Sequence, residues 1–163
     1  MNVLQWLSVG TQVSSNTSVQ TVVGFEDILQ IQKQNVQRFH AAAPTTNKSQ
    51  IPPTDIIINT MSLTDQEILI CRTTPAKEEE AALNHLLDTY QTADVRIVIY
   101  GRNSADTSVF VKQDQMRKLG FTHVYVYLGG LFEWLLLQDV YGEDAFPTTG
   151  KCVDILKYST NTK

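Results

Sequence analysis

Short runs of consecutive apolar residues, alternating with helical patterns, constrain the fold of this chain more than any other feature. Ile56-Ile57-Ile58, within residues 55–59, and Ile97-Val98-Ile99, within residues 95–100, present no polar face. A strand of that kind needs cover on both sides, which a parallel sheet flanked by helices supplies. Glu67-Ile68-Leu69-Ile70-Cys71 is a further run of the same kind, and Val124, Val126 and Leu128 alternate with Tyr125 and Tyr127 on another.

Helical spacing fills the intervals. From Phe25, apolar residues recur at Ile28, Leu29, Val36 and Phe39, with Glu26 and Asp27 where a helix N-terminus favours negative charge. That spacing predicts a helix of about three to four turns. A second helix opens at Thr74-Pro75, with threonine as cap, proline in the first position, Glu78, Glu79 and Glu80 near the dipole, and Leu83, Leu86, Leu87 and Tyr90 inward. Thr107 or Ser108 caps a third, ending at Gly120, and Gly129-Gly130 turns the chain into a fourth carrying Leu131, Trp134 and Leu135. Strands alternating with helices imply right-handed crossovers. The expected class is therefore α/β, with a mainly parallel central sheet of about five strands and helices on both faces.

At 163 residues, 42% hydrophobic and 18% charged, the chain suits one globular domain. The polar segment 1–23 reads as a loosely ordered lead-in with one short strand near Val19, followed by a single domain over 24–158. Residues 41–54, with Pro44, Pro52 and Pro53, read as an insertion loop, and 159–163 as a disordered tail.

Charge narrows the partners. A formal net charge of -4 without a basic run argues against nucleic acid and anionic membranes. No stretch approaches the roughly 20 apolar residues needed to cross a bilayer. Cys71 and Cys152 lie far apart and form no metal or redox motif, so a reducing, cytoplasmic setting is expected. His40, His85 and His123 show no ligand spacing, so neither a metal nor a cofactor is expected.

Between Val95 and Trp134 the order of motifs is more specific. Ile97-Val98-Ile99-Tyr100 leads into Gly101-Arg102-Asn103-Ser104-Ala105-Asp106-Thr107, followed by Leu119-Gly120-Phe121, Val124-Tyr125-Val126 and Gly129-Gly130-Leu131-Phe132-Glu133-Trp134. This ordered set resembles the second half of a rhodanese domain. The resemblance implies that the loop 101–107 corresponds to the family's active-site loop, in which backbone N–H groups cradle a cysteine thiolate and its persulfide.

Here the loop begins with Gly101, which carries no sulfur. Tyr100 and Arg102 match residues that commonly flank the family's cysteine. Asp106 stands about where many members place an arginine that binds the anionic donor, and Asn59 and Met61 replace the family's frequent aspartate and arginine after the earlier strand. The resemblance therefore implies a domain without the family's catalytic residue, acting as a binding or regulatory module. Its expected partner is another protein docking near the loop, with a small anion at 101–107 as a further candidate ligand. The alternative is a sulfurtransferase or related enzyme using a displaced thiol, Cys71 or Cys152, or one supplied by a partner.

Plainer readings stand beside these. A cysteine ending an apolar strand, such as Cys71, is usually a small buried hydrophobe. Tyr125, Tyr127, Phe132 and Trp134 fit core positions of a doubly covered sheet better than a recognition patch. Asn103, Ser104, Asp106 and Thr107 also suit a capping network for the following helix.

Overall fold

The computed structural model describes residues 21–41, 55–89 and 91–160. Its strands are β1 (Val22–Val23), β2 (Ile56–Asn59), β3 (Arg96–Tyr100) and β4 (His123–Tyr127). Between and after them lie helices α1 (Phe25–Ala41), α2 (Ala76–Asp88), α3 (Ser108–Lys118) and α4 (Gly130–Tyr141). The sheet order is β1-β4-β3-β2 and every pairing is parallel.

Side-chain alternation along the strands divides the core in two. Val98, Tyr100 and Tyr127 face α1 and α4, where Ile28, Ile31, Leu131, Trp134 and Leu135 are buried. Ile97, Ile99, Val124 and Val126 face α2 and α3, meeting Leu83, Leu86, Val109 and Met116. Because neighbours on a strand point to opposite faces, a run with no polar face is what such a sheet demands. Tyr127 and Trp134 are buried, while Tyr125 and Phe132 pack against the core at its margin.

Among the described residues four strands form this sheet, against the five expected. The run at 67–71 is the difference. Ile68, Leu69 and Ile70 are buried in the core, yet only Ile70 makes a strand-like bridge, antiparallel to Thr148. Its amides are satisfied by scattered partners instead of a ladder. Leu69 N–H donates to Thr149 Oγ1 at 2.9 Å, Ile70 N–H to the Tyr100 hydroxyl at 3.2 Å, and Cys71 N–H to the Pro147 carbonyl at 3.0 Å. Arg72 then turns the chain with φ 70°. An apolar run reports burial, and burial alone does not select a strand.

Other boundaries shift modestly. Helix α1 has 17 residues, longer than the three to four turns expected, and Pro75 rather than Thr74 stands at the N-cap of α2. Leu83 and Leu86 are buried on α2 and Leu87 partly so, whereas Tyr90 lies outside the described residues. Strand β1 falls at Val22–Val23, inside the segment read as lead-in, and joins the sheet edge through Val126 N–H to the Thr21 carbonyl at 2.7 Å. The strand expected near Val19, most of the loop 41–54 and residues 161–163 also lie outside the described residues.

The segment after α4 docks back onto the α1 and α4 side. Phe146 is stacked edge-on against Phe25 and Trp134, and Trp134 Nε1–H donates to the Pro147 carbonyl at 3.3 Å. A short 3-10 turn at Ile155–Tyr158 places Tyr158 in the core. Among the described residues no helix is long and apolar enough to cross a membrane.

Candidate active-site loop

The loop 101–107 leaves the carboxyl end of β3 and enters α3, the position at which open parallel sheets hold ligands. Its base is rigid. Tyr100 is fully buried, and its hydroxyl contacts Thr73 Oγ1 at 2.9 Å while accepting from Ile70 N–H. Burial, the dominant cause, pushes this hydroxyl well above the usual tyrosine range.

Helix α4 closes over the first loop residues. Leu131 N–H donates to the Gly101 carbonyl and Phe132 N–H to the Arg102 carbonyl, both at 3.0 Å. The approach needs a glycine at 130: φ there is +63°, and a β-carbon would lie 2.7 Å from the Gly101 carbonyl oxygen. The Gly-Gly turn seen in the sequence therefore has a steric cause at its second residue.

Asp106 occupies the centre of the loop. Its Oδ2 accepts Arg102 N–H at 3.0 Å, and its Oδ1 accepts Ser108 N–H at 3.1 Å and the Ser108 hydroxyl. Ser108 Oγ, its proton given to Asp106, accepts in turn from the Thr60 hydroxyl at 2.7 Å, tying the loop to the end of β2. Thr107, at the N-cap position of α3, makes no side-chain cap, so the expected capping by Thr107 or Ser108 falls instead to the Asp106 carboxylate. A carboxylate accepting free amides at a helix start is favourable for both hydrogen bonding and the dipole.

That carboxylate stands where a side chain at position 101 would begin. A β-carbon built on Gly101 overlaps Asp106 Oδ2 and lies 2.8 Å from its Cγ and 3.0 Å from its Cβ. Gly101 is buried, so its side-chain position opens onto Asp106 and not onto solvent.

The remaining loop residues divide by exposure. Asn103 is buried, with Oδ1 accepting Ala105 N–H at 3.0 Å and Nδ2 donating to the Tyr158 carbonyl at 2.8 Å. Arg102 is half-buried: it pairs with Asp65 at 3.3 Å, donates to the Lys157 carbonyl, and its guanidinium lies 5.8 Å from the centre of the Tyr158 ring. Ser104, Ala105 and Thr107 are exposed. At the end of β2, Asn59 Oδ1 accepts Met61 N–H at 3.1 Å, a local turn bond in place of an ion pair.

Beyond Ser108 an open cleft of about 530 Å³ runs between the end of β2 and α3, lined by Asn59, Thr60, Leu63, Ser108, Val111 and Lys112 among others. Lys112 forms an ion pair with Glu79 of α2. Among the described residues no cluster of His, Cys, Asp or Glu could hold a metal ion.

Sequence reasoning placed the loop but missed its covering. Lys157 and Tyr158 reach Arg102 and Asn103 from 55 positions away, and no spacing rule links them. Thr60 and Thr73, 48 and 27 positions from their partners Ser108 and Tyr100, were missed for the same reason. The only signal was the apolar set Val153, Ile155, Leu156 and Tyr158, which marks a docking segment without saying where it docks.

The architecture defines a parallel α/β domain with a β3–α3 loop at the carboxyl end of its sheet. A family model described as the rhodanese-like domain matches residues 54–137, half of the chain, and the chain belongs to that family. No curated protein and no solved structure matches it.

Proposed function

We propose that this chain is a non-catalytic rhodanese-like module that works by binding, its partner another protein docking near the loop 101–107. One observation carries the reading: the position of the family's nucleophile holds Gly101, and the Asp106 carboxylate lies in the space a side chain there would fill. Sulfur transfer needs a nucleophilic thiol at that point. The loop supplies none, and its negative charge disfavours both a thiolate and an anionic sulfur donor.

The test is thiosulfate-to-cyanide sulfur transfer by the purified protein. No turnover above a denatured control is expected. Turnover that persists in a variant carrying Cys71→Ser and Cys152→Ser overturns the reading.

A second reading, an enzyme with a displaced thiol, draws support from Cys71. This half-buried cysteine lines a cavity of about 330 Å³ together with Lys33, Arg72 and Asp144, so a small substrate could reach its sulfur. Cys152 is the weaker candidate, since burial pushes its thiol up. Incubation with thiosulfate followed by persulfide mapping separates the readings. Persulfide on Cys71 favours the enzyme, and its absence from both cysteines favours the binding module.

A further inference from the structure

We infer that Asp106 is a second, independent lock on this loop: a resident carboxylate that holds the cradle amides and competes with any side chain at position 101. The inference rests on the non-catalytic reading and deepens it, because it assigns the closed state to a residue other than the missing nucleophile.

The argument is geometric. A β-carbon on Gly101 meets Asp106 along its whole side chain, with Oδ2 overlapped, Cγ at 2.8 Å and Cβ at 3.0 Å. Rotating the carboxylate away relieves the overlap only by breaking its bonds to Arg102 N–H, Ser108 N–H and the Ser108 hydroxyl. The rest of the cage cannot yield easily. The Gly101 and Arg102 carbonyls are bonded to α4, Asn103 to the docked tail, and Ser108 to Thr60.

Electrostatics act in the same direction. Arg102 N–H, the first amide after position 101, and Ser108 N–H both point at the carboxylate, so these two donors are already engaged. A thiol introduced at 101 would sit beside a negative charge, which raises its pKa, and would lack the amides that lower it. Restoring the cysteine alone therefore does not restore the cradle.

The experiment compares Gly101→Cys with Gly101→Cys/Asp106→Ala by iodoacetamide alkylation between pH 5 and 9, followed at residue 101 by mass spectrometry. At pH 6 the double variant is expected to react about tenfold faster or more, as its thiol gains the freed amides and loses the carboxylate. Equal rates, or a faster single variant, overturn the inference.

A second measurement does not depend on a thiol. Urea unfolding of Gly101→Ala, Asp106→Ala and the double variant forms a cycle. The Ala at 101 is expected to destabilise the native background and to cost measurably less once Asp106 is shortened; additive effects reject the lock. If wild-type protein proves to be a sulfurtransferase, the proposed function fails while this cycle keeps its own outcome, so the two failures are distinguishable.

Discussion

The carbonyl oxygen of Gly101 packs directly against the α-carbon of Gly130, so that a β-carbon at 130 would lie 2.7 Å from that oxygen and 2.8 Å from Asn103 N. Two loops far apart in sequence are thereby pressed backbone to backbone. The contact lets the first amides of α4 bond the carbonyls of the 101–107 loop. Gly130→Ala introduces both this overlap and an alanine at φ +63°, and is expected to cost about 2 kcal/mol or more in urea unfolding. An unchanged midpoint would show that the backbone yields without loss.

Tyr100 links the sheet to the irregular segment beneath the loop. Tyr100→Phe keeps the ring but removes the acceptor for Ile70 N–H and the partner of Thr73 Oγ1. Thr73 retains the Ile70 carbonyl at 2.7 Å as its acceptor, so the orphaned amide dominates the loss. A destabilisation of about 1–3 kcal/mol is expected, with faster hydrogen exchange at residues 69–71.

Alkaline pH should unfold the protein earlier than its net charge suggests. Burial pushes the hydroxyls of Tyr100, Tyr127 and Tyr158 upward from an ordinary value of 10.0, helped in Tyr127 by the neighbouring Glu133 carboxylate. The unfolded chain thus loses those protons first. Stability is complete below about pH 10 and falls as pH rises, by up to ~1.4 kcal/mol per unit for each tyrosine that stays protonated only in the folded state. Urea midpoints between pH 9 and 11.5 check the trend, and Tyr100→Phe is expected to flatten it.

The docked tail is testable at Tyr158, which is 1% exposed. Tyr158→Ala leaves a ring-sized cavity under Arg102 and Asn103 and is expected to cost about 3–5 kcal/mol. Among the described residues the Tyr158 hydroxyl has no hydrogen-bond partner, so Tyr158→Phe is expected to be neutral or slightly stabilising. Leu156→Ala, at a side chain 68% exposed, should shift stability by no more than about 0.5 kcal/mol. Thermal melts of the three variants give the comparison.

Legibility followed the range of the interactions. The strand at 96–100 and the helix from Ser108 could be read locally, because alternation and spacing are properties of neighbouring residues. The stretch 67–71 misled for the same reason: its three apolar side chains are buried as a strand's would be, while its backbone partners come from the tail and from Tyr100. At the site, Gly101 and Asp106 were recognised as departures, but as separate ones. Their contact depends on how the loop turns back between β3 and α3, and the four intervening residues 102–105, of mixed polarity, do not encode that turn in any periodicity.

The sequence by itself determined the α/β alternation, the placement of the loop after β3, its family and the absence of a thiol at 101. Each of these follows from residue type and local order. Only the tertiary structure decided that the sheet has four strands among the described residues, that Tyr158 docks under the loop, and that Asp106 fills the space beside Gly101. Those outcomes turn on which distant groups reach a buried amide or an open volume first. Hydrogen-bond satisfaction and excluded volume set that in three dimensions, and neither is carried by spacing along the chain.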